Sequence, residues 1–427
     1  MNKLAWVIPS FKTGVGKYTE TIQGVLSQFV DLRIYITKEN FNVDELAKFS
    51  TIVYHLGNSR ENVMSYMAIK KYPGIIVLHD RTYHNFFAHY YFDYLKKPNL
   101  YYKALSILYG EPVTQYAKRE NELGRFIWET EDCIKYPMRE LIYPYATAIV
   151  VHSMNYLEIV RNEYKGVIIY LPLPFEANFL GLNRKITRKN LKLPEDKIIM
   201  YSYGFMSKNR MIEDVLRIIG EEDEIRNKIF YVIAGEMPYT YLNEIKSVVS
   251  NYKLNNIRIC GFLSDKELYE YLSVADLCVN LRRYNAEGAS WSVLEQMSYG
   301  KAVLVMDNGF FSELPDDVLL KIKNTKELKE KLFKIIQNPA ILKEIGIKAK
   351  DYVIKNFDPR FFTEGFLFLL KNFYIHMNKK IFLNKLLREI IEITSWVPEK
   401  INNKILSETA KEIFEVFGRA LENENIN

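Results

Sequence analysis

Short apolar runs of four to six residues alternate with segments of helical period from Leu4 to Val305. This alternation constrains the chain more than any single motif. A run apolar at nearly every position reads as a strand buried on both faces, and such strands require helices on both sides of a parallel sheet. The expected fold class is therefore α/β. Leu4–Ile8, Leu32–Ile36, Thr51–Tyr54, Ile75–Leu78 and Ala148–Val151 form a first series of strands. Ile198–Tyr203, Ile229–Ala234, Ile257–Cys260, Leu277–Asn280 and Ala302–Val305 form a second. Helices are expected from about Tyr18 to Phe29 and over Ile212–Gly220, Tyr239–Asn251 and Asp265–Ser273. Pro172, Pro174 and the polar stretch Gly181–Asp196 separate the two series. With 427 residues the chain is long enough for two domains. The expectation is two doubly wound domains, residues 1–172 and 184–357, facing a cleft at the carboxyl ends of their strands. Beyond Val305 the chain reads as helical to its end. Leu386, Leu387, Ile390 and Ile391 share one helical face and Ile413, Phe414 and Phe417 another, which suits packing on a domain surface, a membrane surface or a dimer.

Charge narrows the partners. The 58 basic and 52 acidic residues leave +6, too little to argue nucleic acid but suited to an acidic ligand or an anionic membrane surface. The cysteines Cys133, Cys260 and Cys278 form no CxxC pair, and the opening MNKLAWVIPS has no signal-peptide character. The expectation is a reduced, cytoplasmic setting with no disulfide framework and no cysteine zinc site. Runs such as Phe366–Leu370 fall far short of the roughly 18 residues that span a bilayer. A denser aromatic segment, Phe86 to Tyr109, carries nine aromatics beside Lys96, Lys97 and Lys103. It reads either as ordinary helix packing or as an acceptor-binding wall or membrane-facing surface.

Four constellations could carry chemistry. Thr13-Gly14-Val15-Gly16-Lys17 follows the first strand and precedes a helix, so small residues there would let a ligand approach backbone amides. It matches neither a P-loop nor GxGxxG, because Phe11 and Thr19 occupy required glycine positions. His79 and Asp80 end a strand, where α/β enzymes place functional groups, and His152-Ser153 repeats the arrangement, with helix capping by Ser153 as its alternative. Lys208 and Arg210 follow the first strand of the second series, where two cations could neutralise a diphosphate. The most informative stretch is Glu287 to Gly300. Glu287 lies in a loop of small residues (Gly288, Ala289, Ser290), and Glu295 sits on the helix which that loop opens. Two carboxylates seven residues apart could accept hydroxyl hydrogen bonds at two points of an extended ligand, while loop amides face an anion.

Together these residues resemble the family 4 glycosyltransferases, which have the GT-B fold. Glu287–Glu295 is similar to the family's E-x7-E motif, Tyr231–Glu236 to its "VIAGEG" strand, and Gly261–Asp265 with Ala275-Asp276 to its "GF-x-(S/D)…AD" passage. Tyr72–Asp80 is similar to the "PGVVVLHD" stretch of some members. The resemblance implies a retaining transferase that moves a sugar from a nucleotide-diphosphate donor to a glycan, lipid or protein acceptor, without a metal and without another cofactor. It implies catalytic roles for His79, Glu287 and Arg210, with Glu287 on donor-sugar hydroxyls. It implies donor contacts from Gly14, Val15, Gly16, Lys208, Gly288, Ala289, Ser290 and Glu295, the last on ribose hydroxyls. Arg210 stands where the family has a phosphate-binding Lys; the family's preceding Arg falls at Phe205 or Ser207, so that cation is missing or replaced by Lys208. It also implies that the chain crosses back near Pro359, Phe361 and Phe362, so that residues 360–427 join the first domain. A peripheral membrane contact and a homo-oligomer remain compatible with this. A sugar-nucleotide epimerase and a non-catalytic subunit of a glycan-assembly complex are the rival expectations.

Overall fold

The computed structural model describes residues 3–11, 14–38, 41–177 and 181–371. Two six-stranded sheets, parallel throughout, organise residues 1–367, which form one compact unit. The first contains β1 (Lys3–Ile8), β2 (Asp31–Ile36), β3 (Thr51–Leu56), β4 (Gly74–Leu78), β5 (Ala146–Val151) and β6 (Val167–Tyr170), in the order β2-β1-β3-β4-β5-β6. The second contains β7 (Ile198–Tyr203), β8 (Ile229–Ala234), β9 (Ile257–Gly261), β10 (Leu277–Val279), β11 (Ala302–Met306) and β12 (Leu320–Ile322), in the order β12-β11-β10-β7-β8-β9. Both are doubly wound orders, so each sheet has a point where the winding reverses and a crevice opens at the strand ends. In the first sheet that point lies between β1 and β3, where Leu4 stands opposite Thr51. In the second it lies between β7 and β10, where Met200 stands opposite Leu277.

The α/β expectation and the ten strands hold, with ends shifted by one or two residues. Two edge strands, β6 and β12, escape the sequence reading because they are only four and three residues long. The strand β12 also breaks the expected run of helix after Val305. Within the stretch read as polar linker, Arg184–Asn190 is helical, capped by Asn183, whose Oδ1 accepts from the Lys185 and Ile186 amides. The first helix runs over Gly14–Leu26 rather than from Tyr18, so Gly14 to Gly16 form its first turn and not a loop before it.

The aromatic segment is core except for Tyr94, which is exposed. Phe86, Phe87, Tyr90 and Tyr101 are buried in the helices inserted between β4 and β5, where Phe87 meets Phe86 and Tyr90 edge-on and Tyr101 meets Tyr102 and Trp128 in the same way. Large rings are the economical way to fill an insertion that has no strand of its own, and the wall or membrane reading of this run is not what its buried rings do. The helix that follows Pro359 brings Phe362 and Phe366 against Trp6, with ring centroids 6.5 and 5.8 Å away. Phe362 also meets Tyr18 at 5.6 Å. Residues 372–427, and with them Leu386, Leu387, Ile390, Ile391, Ile413, Phe414 and Phe417, lie outside the described residues.

The two sheets face one another across a cleft stitched at one side. Arg81 N donates to Ala286 O at 2.7 Å, and Gly288 N donates to His79 O at 2.8 Å. Glu313, after β11, accepts from Ser153 Oγ and from the Met154 and Asn155 amides, which satisfies the amino end of the helix Met154–Glu163. A carboxylate there matches the positive end of the helix.

Candidate functional site

A cavity of about 1300 Å³ fills the cleft. That is more than a single small-molecule pocket needs, and leaves room for two ligands. The second-sheet wall includes Tyr203, Phe205, Lys208, Asn209, Glu287, Ala289, Ser290, Ser292 and Glu295; the first-sheet wall includes Gly14, Val15, Lys17, Tyr18, Asn58, His79, Asp80 and His152.

On the second-sheet wall, the loop after β10 turns back so that Arg282 and Glu287 meet. Arg282 is buried and donates from Nη2 to Glu287 Oε1 at 3.0 Å and from Nη1 to Asn280 Oδ1 at 2.8 Å. Arg210, from the loop after β7, donates to the same Asn280 oxygen at 3.1 Å. The Asn280 side chain is held in turn by donating to Ser292 Oγ and Gln296 Oε1. Two guanidiniums thus converge on one amide oxygen beside one carboxylate. Burial pushes the Glu287 carboxyl up, but Arg282 and then Arg210 outweigh it and hold the group below its ordinary range, so it is ionised at neutral pH. Burial and then Arg282 lower Arg210 to about 9, which leaves it cationic at neutral pH. Arg282 was not among the sequence candidates. Its signal, a basic residue five before Glu287, is weak without the fold that returns it.

Glu295, on the helix Trp291–Ser298, is buried, and both its oxygens accept hydrogen bonds, Oε2 from one donor only among the described residues. Its Oε2 accepts from Tyr203 Oη at 2.6 Å, and its Oε1 accepts from Tyr269 Oη at 2.9 Å and from Lys17 Nζ at 3.4 Å. Lys17 reaches it from the first helix, across the cleft. Burial lowers the Lys17 ammonium's pKa, but Glu295, Tyr269 and Asp265 together outweigh it and hold the group above its ordinary value. Tyr203, Tyr269 and Lys17 were likewise missed as site residues. Lys17 ends the Thr13–Lys17 stretch without a role of its own there, Tyr203 and Tyr269 follow no motif, and the three converge only in space.

On the first-sheet wall, His79 meets His55 of β3, Nε2 to Nδ1, at 2.9 Å. His152 Nδ1 donates to Leu171 O at 2.9 Å, and its ring lies 5.6 Å from that of His79. The buried Nε2 atoms of His55 and His152 have no partner among the described residues. A bare ring nitrogen is easier to leave unpaired than an N–H. The network therefore assigns the shared proton to His55 Nδ1, which leaves His79 Nδ1–H as a donor. Burial, and for His79 the neighbouring His152, lowers the pKa of all three histidines, so they are neutral at pH 7. Beside His79, Asp80 Oδ2 accepts from the Asn58 amide at 2.6 Å.

The sequence candidates divide accordingly. Glu287, Glu295, His79, Gly14, Val15, Ala289, Ser290 and Lys208 line the cavity, whereas Arg210 does not line it and is linked to Glu287 through Asn280 and Arg282. Lys208 stands at the rim, largely exposed and paired with Glu244 at 2.9 Å. Gly16 and Gly288 do not line the cavity. A Cβ on Gly16 would sit 2.0 Å from Phe11 O, and one on Gly288 2.9 Å from His79 O, so both glycines serve close approach of the chain to itself and not to a ligand. The loop amides are also less free than the sequence suggests: Glu287 N donates to Asn285 Oδ1 and Gly288 N to His79 O.

Residues 183–352, the span that contains the second sheet, match the family described as glycosyl transferases group 1. The chain is 26% identical over 221 residues to an uncharacterized glycosyltransferase of Methanocaldococcus jannaschii, a match that covers 50% of this chain and 55% of the relative. The chain thus spans about half the length of the curated relatives it matches. Among solved structures, sucrose-phosphate synthase from Thermosynechococcus elongatus superposes with a TM-score of 0.61 at 14% identity, over 88% of this chain and 100% of the other. The Anabaena HepE protein in complex with UDP and glucose superposes at 0.59 and 12% identity, over 87% and 100%. At such identities the likeness shows the fold, which is GT-B: two Rossmann-like domains across a cleft.

Proposed function

We propose that the protein is a retaining glycosyltransferase of the family 4 type, which moves a sugar from a nucleotide-diphosphate donor to an acceptor hydroxyl without a metal ion. The observation that carries this reading is the buried Arg282–Glu287 pair with Arg210 on the shared Asn280 oxygen, set at the winding reversal of a glycosyl transferases group 1 domain. A neighbour of the same fold in complex with UDP and glucose supports the donor class. Retention and metal independence rest on the resemblance of the E-x7-E segment and on the cations at hand.

In this reading, the bond from the donor's anomeric carbon to the diphosphate breaks and a bond to the acceptor oxygen forms. The hydroxyl proton departs with the diphosphate. Charge grows on the phosphate oxygens, and Arg210 with the amino ends of the helices Gly14–Leu26 and Trp291–Ser298 answers it with dipoles already in place. Arg282 supplies the second cation that Phe205 and Ser207 do not. Glu287 receives donor-sugar hydroxyls while Arg282 holds it still. Glu295 receives the ribose hydroxyls, and His79 offers its Nδ1–H to the sugar near the reacting carbon.

Thermal melts with UDP-, GDP-, ADP- and dTDP-sugars test the donor: the true donor raises the melting temperature progressively with its excess. Glu287→Gln should then lower kcat/KM by about 100-fold, through charged hydrogen bonds that tighten in the transition state. Near wild-type turnover by a folded Glu287→Gln protein sinks the assignment. Conversion of the donor in the absence of any acceptor identifies an epimerase instead.

A further inference from the structure

The first-sheet end of the cavity holds groups that the donor does not use. The loop after β3 is built into a fixed bowl: Gly57 N donates to Asn62 Oδ1 at 3.0 Å, Asn58 N to Asp80 Oδ2 at 2.6 Å, and Phe86 N to Asn58 Oδ1 at 2.9 Å. Asn85 Nδ2 donates to Asn58 O at 3.2 Å. These bonds spend one end of each carboxamide. No described residue takes the other ends, Asn58 Nδ2 and Asn85 Oδ1, and both residues line the cavity. Next along the wall is Trp128, half-buried, stacked on Phe126 at 4.8 Å and braced edge-on by Tyr101 at 5.5 Å. Glu129 follows, and its carbonyl accepts from Tyr284 Oη at 3.1 Å, which ties this wall to the strand end that carries Glu287.

The described charged residues that line this end of the cavity are acidic. Glu61, Asp80 and Glu129 line it. The lysines that line the cavity, Lys17 and Lys208, are committed elsewhere, to Glu295 and to Glu244. A phosphate-bearing acceptor would find carboxylates here and, among the described residues, no free cation. A neutral ring of hydroxyls would find carboxylate and carboxamide partners at fixed points, and an apolar plane in Trp128 for its C–H face.

We propose that this wall is an acceptor subsite for a neutral pyranoside, with Trp128 as its platform and Asp80, Asn58 and Asn85 as its hydroxyl partners. The proposal deepens the glycosyltransferase reading and rests on it for the reaction, though not for the binding. Asp80 is backbone-paired with Glu287, so a hydroxyl held by Asp80 stands beside the donor sugar that Glu287 holds. Asp80 accepts the hydrogen bond of the attacking hydroxyl and orients it; the proton still leaves with the diphosphate. The neutral pyranoside could be the end of a soluble glycan or the headgroup of a glycolipid, and the subsite recognises the ring common to both.

Isothermal titration of the full chain tests this with methyl and octyl glucosides, galactosides and mannosides, with glycerol 3-phosphate, and with UDP, GDP, ADP and dTDP as nucleotide probes. The expected result is binding of at least one methyl pyranoside and none of glycerol 3-phosphate. Trp128→Ala should weaken the pyranoside at least tenfold while the nucleotide dissociation constant moves less than twofold. Asn85→Ala, which touches no aromatic packing of Trp128, should weaken it about fivefold and keeps the test valid if Trp128→Ala does not fold. Tighter binding of the octyl than the methyl glycoside, lost in Trp128→Ala, places the ring on a glycolipid; equal binding places it on a soluble glycan. Nucleotide binding without binding of any pyranoside overturns the subsite and leaves the transferase reading standing. Pyranoside binding without nucleotide binding keeps the subsite and overturns the transferase. Preference for glycerol 3-phosphate over every pyranoside also overturns the subsite.

Discussion

The second-sheet wall buries its polar groups as partners: Arg282 with Glu287, and Glu295 with Lys17 and two tyrosines. The first-sheet wall buries His55, His79 and His152 side by side without a counter-ion, lowered by burial until they are neutral. Both are answers to low hydration. A buried charge must be paired, and a group that can shed its charge need not be. The difference has a functional consequence. The paired wall can meet a diphosphate with fixed charge, whereas the first-sheet wall, with neutral histidines beside carboxylates, can meet hydroxyls without competing for the phosphate.

Acidification should break this contrast first and most widely. His152 is lowered from 6.5 to about 4, so between those values the unfolded chain binds more protons than the folded one. Stability is complete above pH 6.5 and falls as pH drops to 4, by about 3 kcal/mol from His152 alone, with His55 and His79 acting in the same direction. Asp80, pushed up to about 7 chiefly by burial, acts in the opposite direction. The measurement is therefore a difference: urea denaturation from pH 7.5 to 4.5 for the wild type and for His152→Gln. The variant should lose less stability over that range, and equal slopes would refute the neutral-wall account.

The paired wall is tested by removing one partner. Arg282→Ala leaves Glu287 without its buried cation, and roughly 2–3 kcal/mol of stability should go with it, less than for a fully enclosed pair because Glu287 keeps 34% of its side-chain surface. Turnover should fall by about 1000-fold, since both the second cation and the posture of Glu287 are lost. Arg282→Lys should recover stability more than turnover, because one ammonium cannot serve Asn280 and Glu287 with the same fork. Turnover within tenfold of wild type in Arg282→Ala would show that the pair is structural only.

The smallest effect falls on the bridge between the walls. Lys17→Met removes a cross-cleft contact to Glu295 at 3.4 Å from a side chain that is 38% exposed, and such contacts are worth little once screened. The Michaelis constant for the donor should change about threefold, with kcat nearly constant. Glu295→Gln should act in the same parameter and more strongly, because a ribose contact is shared by ground and transition states. A large kcat effect in Lys17→Met would place the lysine on the reacting phosphates.

The sequence by itself determined the layering, because uniformly apolar runs of four to six residues leave a parallel sheet between helices as the only economical burial. It also determined the placing of Glu287 and Glu295, since a loop of small residues followed by a helix sets their spacing locally. Three things were decided only by tertiary structure. Gly16 and Gly288 look like ligand-facing glycines in sequence, and only the packed chain shows that Phe11 and His79 carbonyls occupy the space beside them. Arg282 and Asn280 carry no local pattern; they matter because strand β10 ends beside β7, so Arg210 arrives from 70 residues away on the same oxygen. His55, which lies just past the strand read as Thr51–Tyr54, becomes the partner of His79 because β3 extends over it and neighbours β4, with His55 opposite Val77. Local geometry is written in adjacent residues, whereas a buried charge or proton takes its state from whatever the folded chain brings within hydrogen-bond distance.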